Sequence, residues 1–185
     1  MSLSETEFAV LRATIATRGT VRMALLPVTL VTWAFLAAAL ALWAETPIAV
    51  VFPLAILVAG FEAIHALHVG VERIGRFIQV NYEGTPDAPT WESTAMRIGP
   101  ALPGGGIDPL FTVVLMSATF ANLIPAAMVM PTTAEYGVLA ALHLVFIVRL
   151  IRARGAAARQ RAVDLETFKA IKSHVPTTRP PVADM

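Results

Sequence analysis

Four apolar runs, paired by two short turns and divided by a longer polar stretch, organise the sequence. Residues 23–43, 48–71, 110–130 and 134–151 are almost free of charge. Each is long enough, as a helix, to cross the ~30 Å hydrocarbon core of a bilayer. The second run is the centre of the pattern. It passes without a further Pro after Pro53 into His65, His68, Glu72, Arg73 and Arg76. Read as one helix to residue 83, it is on the order of 50 Å long. Such a helix crosses the membrane and projects well beyond one face, with its polar residues where it leaves the lipid.

The connections follow from turn chemistry. Glu45-Thr46-Pro47 predicts a tight turn that sets the second run antiparallel to the first. Trp43 ends the first run, at the level an amphipathic ring prefers. Pro53 predicts a bend that neighbouring groups can accommodate in lipid. Residues 84–107, closing on Gly99-Pro100 and Gly104-Gly105-Gly106, read as a loop, with Trp91 and Met96 as candidate anchors. Asp108 and Pro109 are the N-cap and first position of the next helix, which contains Pro125 near its far end. Pro131-Thr132-Thr133 is the second turn. The fourth run overshoots through Arg152, Arg154, Arg159 and Arg161 into an extension over 152–173, with an apolar stripe of Leu165, Phe168 and Ile171. Residues 174–185, with three prolines, read as a loose tail.

Residues 1–22 predict an N-terminal amphipathic helix. Phe8, Leu11 and Ile15 share a face, Arg12, Arg18 and Arg22 lie elsewhere, and Ser4-x-x-Glu7 has capping-box spacing. Such a helix lies on the membrane surface or packs on the chain's own extensions; an arm that docks a partner is the alternative.

Composition agrees with a membrane protein. The chain is 56% hydrophobic and 15% charged, with a mean hydropathy of +0.68. The absence of cysteine excludes disulfides, thiolate metal sites and covalent c-type haem attachment. The first apolar run lacks a small-x-small cleavage signal and reads as a retained span. The net charge of +1 hides an asymmetry: all 14 Lys and Arg fall on one side of a four-span arrangement. The opposite turns carry Glu45 and Glu135 instead. The positive-inside rule then assigns both termini and the central loop to the cytoplasm. The strong preference for Arg over Lys suits a bacterial source, hence a bacterial inner membrane. The expected fold is an all-α integral membrane protein: an antiparallel four-transmembrane-helix bundle, with helices 2 and 4 extended into the cytoplasm.

Candidate chemistry sits mainly on the second helix. At 100° per residue, Glu62, His65, His68, Glu72, Arg76 and Gln79 form a polar ribbon, with Arg73 beside it. Ala59, Ala63, Ala66 and Gly70 form a roughly opposite face, suited to close helix packing. Glu62 and Arg149 lie at similar depth in the apolar zone, where an unpaired charge costs ~2.5 kcal/mol or more. They are therefore expected to pair, with His65 nearby; the competing arrangement has Arg149 snorkelling to the headgroups and Glu62 protonated. Asn122 and His143 also share a depth and are expected to hydrogen-bond.

Cofactor signals are weak. Glu62-x-x-His65 has the spacing of di-iron carboxylate bundles, but no second copy and no further inward Glu completes a site. A single metal on Glu62, His65 and His68 is a minor alternative. His143 is offset from His65 and His68 by ~15 Å along the axis, too far for two axial ligands on one b-type haem. A chlorophyll-type pigment on one His remains open. The glycine run lacks the Lys-Ser/Thr of a phosphate loop. The basic segment beyond 149 suits anionic lipid heads rather than nucleic acid. The two hairpins share an orientation and form no inverted repeat. With no catalytic constellation, the reading is a non-catalytic accessory or scaffold subunit of a larger membrane assembly, respiratory or photosynthetic, contacting lipid and other integral subunits or further copies of itself. An oligomeric channel or small transporter lined by the ribbon, and a haem- or pigment-binding redox subunit, are the alternatives.

Overall fold

A computed structural model of the chain describes residues 3–83, 90–98 and 109–174. These form six α-helices: α1 (Leu3–Trp43), α2 (Val51–Asn81), α3 (Trp91–Ile98), α4 (Pro109–Ala121), α5 (Ile124–Met128) and α6 (Thr133–His174). A single 3₁₀ turn, Pro47–Val50, leads into α2. No strand occurs among the described residues. Four segments are long and apolar enough to cross a membrane: Glu5–Trp43, Pro47–Asn81, Phe111–Met128 and Thr133–Ala153.

α1 lies along α2, and α2 lies along α6, while α4 rests against α2 and α6. The register of the contacts gives the directions. Arg22 meets His68 and Thr29 meets Gly60, so α1 runs opposite to α2. Glu62 meets Arg149 and Arg73 meets Asp164, so α2 and α6 run the same way. One end of the bundle carries the turns at 44–47 and 129–132. The other carries the charged stretches of α1, α2 and α6. The core contains Leu54, Leu57 and Phe61 of α2, Leu115 and Ala118 of α4, and Phe146 and Leu150 of α6. A smaller cluster of Val50, Ala126 and Leu139 closes the turn end.

The structure departs from the sequence reading at four places. First, the described part of residues 1–22 does not form a separate helix. α1 is continuous for 41 residues, because no Gly-Pro or polar break separates the charged lead-in from the first apolar run. It already includes Ser4, and Glu7 accepts from the Tyr82 hydroxyl at 2.5 Å rather than serving a capping box. Second, Pro53 is the third residue of α2, where its missing N–H removes no helical bond, so it marks a start and not a bend. Third, the third span is broken. Asn122 donates to the Ala118 carbonyl at 2.9 Å, but Leu123 tightens to the Phe120 carbonyl at 3.1 Å. Pro125 has no amide to continue the ladder, and α5 begins anew. Fourth, part of the 84–107 loop is helical, as α3.

Two helix starts are held by carboxylates. The α6 start is a capping box: the Thr132 amide and hydroxyl both donate to Glu135 Oε2 at 2.8 Å, and the Glu135 amide returns to Thr132 Oγ1 at 3.4 Å. The α3 start is capped from a distance. The Glu83 carboxylate accepts from the amides of Glu92 at 2.6 Å and Ser93 at 2.7 Å. Trp91 is 64% exposed. The Met96 side chain, Asp108, the glycine run and residues 175–185 lie outside the described residues.

Candidate functional site

Three polar layers cross the bundle at different heights. The first lies in its apolar zone. Asn122 is fully buried and His143 nearly so, and their contact is present, Asn122 Nδ2 to His143 Nε2 at 3.1 Å. The same Nδ2 donates to the Val50 carbonyl at 2.9 Å, and the Trp33 indole donates to Asn122 Oδ1 at 3.0 Å. His143 Nδ1 lies 2.7 Å from the Leu139 carbonyl. A carbonyl can only accept, so Nδ1 carries the proton. Nε2 is then the acceptor for Asn122. Every polar atom of the amide and the imidazole has a partner. The hub ties α1, the 3₁₀ turn, the α4–α5 break and α6 together. Both nitrogens of His143 are thereby occupied, and a haem or pigment metal on this residue would have to break one of these bonds.

The second layer is the Glu62–Arg149 pair, at 2.8 Å. His65 is close by: it stacks on Phe61 at 5.7 Å, and the Arg149 guanidinium lies over the same ring at 5.4 Å. Depth alone predicts that the pair belongs to a buried network; in the structure it is not buried. The Arg149 and Glu62 side chains are 36% and 44% exposed on the outside of the bundle.

The third layer is the charged end. Arg22 Nη1 lies 2.9 Å from His68 Nδ1, and because a guanidinium only donates, the His68 ring accepts there. Glu72 pairs with Arg161 at 3.4 Å, and Arg73 with Asp164 at 3.2 Å. Arg76, 3% exposed, donates to Gln79 at 2.9 Å and pairs with Glu92 at 3.4 Å, while Arg12 reaches the other Glu92 oxygen at 3.3 Å. Lys172 donates to the Val80 carbonyl at 2.5 Å. Burial pushes the Glu92 carboxyl up, against the pull of Arg76 and Arg12. Desolvation and the bond to Glu7 push the Tyr82 phenol up to about 12. The ribbon of α2 is therefore covered by α1, α3 and α6 of the same chain, and works as a fastening between helices.

The face of small residues is turned outward: Ala59, Ala63 and Ala66 are exposed, and Ala59 lines a groove beside α6. The close approach occurs instead at Gly60, where a Cβ would fall 2.2 Å from Thr29 Oγ1. Gly70 is the one member of that set that lies against α1, with a Cβ position 2.7 Å from Arg18 Nη1. Gly75 does the same for Glu92 of α3, at 2.7 Å.

Sequence reasoning also missed Trp33, Thr29, Gly60, Glu83, Glu92 and Asp164. The Thr132-x-x-Glu135 box was a readable signal. The others depend on which helix lies opposite. Among the described residues no group of three or more His, Asp or Glu is arranged to hold a metal ion. His65 Nδ1 and His68 Nε2 are buried without a hydrogen-bond partner. Compared with protein-family models, with curated proteins and with solved structures, the chain matches none.

Proposed function

We propose that this protein is a non-catalytic accessory or scaffold subunit of a larger membrane assembly. In this reading it crosses a bacterial inner membrane four times, with both termini and the 84–107 connection in the cytoplasm. The observation that carries the reading is at the charged end. There the helices are fastened to one another by ion pairs, yet Val10, Trp91, Val163 and Ile171 stay 56–64% exposed. Beyond the lipid such side chains meet water, and a surface of this kind is suited to a protein partner. Most polar groups that an enzyme or redox subunit would aim at a substrate are here turned on each other. The hub is saturated, and His68, Glu72, Arg73 and Arg76 of the ribbon are engaged by Arg22, Arg161, Asp164 and Glu92, while His65 Nδ1 and His68 Nε2 stay without a partner.

Gentle extraction from the native membrane, followed by sizing and identification of co-purifying chains, tests this. A stable complex with other integral subunits is expected. Recovery of a lone protomer under conditions that preserve other assemblies of the same membrane would count against it.

A further inference from the structure

Where α2 and α6 run side by side, an open apolar groove of about 410 Å³ lies between them, with Leu54 and Phe146 at its base and Ala55, Ala59 and Val145 along it. It extends from Val51 to Ala59 on α2, roughly 12 Å of helix. The two alanines leave it open on one side. Arg149 closes its far end.

Arg149 is the feature that needs an occupant. A guanidinium has five N–H donors. Among the described residues only Nη2 is engaged, by Glu62 at 2.8 Å. The rest of the group is partly exposed at the groove end. Measured from the start of α6 at Thr133, Arg149 lies about 24 Å along the helix, still inside a ~30 Å hydrocarbon core. Donors left open at that depth are costly. A phospholipid entering from the turn end would bring an acyl terminus to Arg149. One from the opposite leaflet keeps its phosphate beyond the hydrocarbon boundary, and its tails reach only the lower end of the groove. Neither meets both the donors and the apolar channel above them. Glu62 already balances the charge, so the matching head is a neutral acceptor.

We propose that this groove binds a neutral, carbonyl-headed amphiphile of the isoprenoid-quinone class. The tail lies between α2 and α6, and a ring carbonyl accepts from Arg149. The proposal concerns binding alone; it rests on the four crossings of the reading above and not on the scaffold role.

The test is equilibrium binding of a radiolabelled decyl-substituted benzoquinone to the purified full-length protein in nanodiscs. Saturable binding of one probe per protomer is expected. Arg149→Lys keeps a charge for Glu62 but loses the planar fork, and should weaken binding roughly tenfold. Ala59→Leu fills the groove from an exposed position that leaves the fold intact, and should weaken it on the order of tenfold or more. Ala63→Leu, exposed but outside the groove, should bind like the parent protein. Decylbenzene, with the tail and no carbonyl, should fail to compete. Non-saturable uptake, parental affinity in both Arg149→Lys and Ala59→Leu, or full competition by decylbenzene would overturn the proposal. So would complete displacement by phosphatidylglycerol, which would make the occupant a phospholipid.

Discussion

Asn122 joins three other elements with one amide group. It accepts from Trp33 and gives its two N–H bonds to Val50 and His143. An apolar substitute of similar shape leaves an indole N–H and an imidazole nitrogen without partners and removes the side-chain bond to the Val50 carbonyl. Three bonds at the transmembrane average of ~0.6 kcal/mol give a loss of about 2 kcal/mol. Orphaning a fully buried group costs ~1–3 kcal/mol each, so for the indole and the imidazole together this figure is a low one. Asn122→Leu should therefore lower the midpoint of unfolding in detergent, and His143→Phe in the same background should add little, because the two share one network. Additive losses would show that the hub is not a unit. The Asn122–His143 and Glu62–Arg149 pairs were legible in the sequence because a polar group in lipid needs a partner at its own height, and height can be counted along a helix. Trp33 was not, since an indole in an apolar run gives no sign of which way it turns. Nor was the Val50 carbonyl, which becomes a visible acceptor only once the 3₁₀ entry to α2 is known.

At the level of helices, the contact between α1 and α2 depends on the one residue with no side chain at the point of closest approach. A methyl group on Gly60 would sit 2.2 Å from Thr29 Oγ1 and 2.8 Å from Thr29 Cβ, so the helices must separate or Thr29 must give way. Gly60→Ala should cost roughly 1–3 kcal/mol, the usual range for overpacking. Thr29→Gly in the same protein should recover part of that loss, which thermal unfolding of the two variants would reveal. The helical period of α2 separates its ribbon from its alanine face. It could not say which face meets a neighbour, because that depends on where α1 and α6 lie, and Ala59, Ala63 and Ala66 proved to be on the outside. α3 escaped notice for a related reason. Its eight residues are too few to form alone in water, and its cap is a carboxylate that returns from Glu83. Glu83→Gln removes the charge that holds the first amides and should free α3, at a cost of about 0.5–2 kcal/mol. Hydrogen exchange over residues 91–98 should then speed up while α2 stays protected. Unchanged exchange would mean that Glu92, through Arg12 and Arg76, holds α3 by itself.

The molecule as a whole is polarised along its length. Arg12, Arg18 and Arg22, Arg73 and Arg76, and Arg159 to Lys172 gather at one end through contacts that run across α1, α2 and α6. The other end has turns with Glu45 and Glu135 and no basic residue. This arrangement was readable before any contact was known, because two short turns pair the four apolar runs into hairpins whose charged ends face the same way. A membrane with a cytoplasmic preference for Lys and Arg converts the polarity into an orientation. The chain has no cysteine of its own, so single cysteines report cleanly. Thr17→Cys, Arg97→Cys and Ser173→Cys should be shielded from a membrane-impermeant maleimide in intact spheroplasts and react only after lysis. Glu45→Cys and Thr133→Cys should react from outside. All these positions are open in the folded chain, so shielding reports the membrane and not burial. If residues 17 and 173 reacted from opposite sides, an odd number of crossings would follow. The charged fastening of α1 to α2 and α6 could not then form within a single protomer.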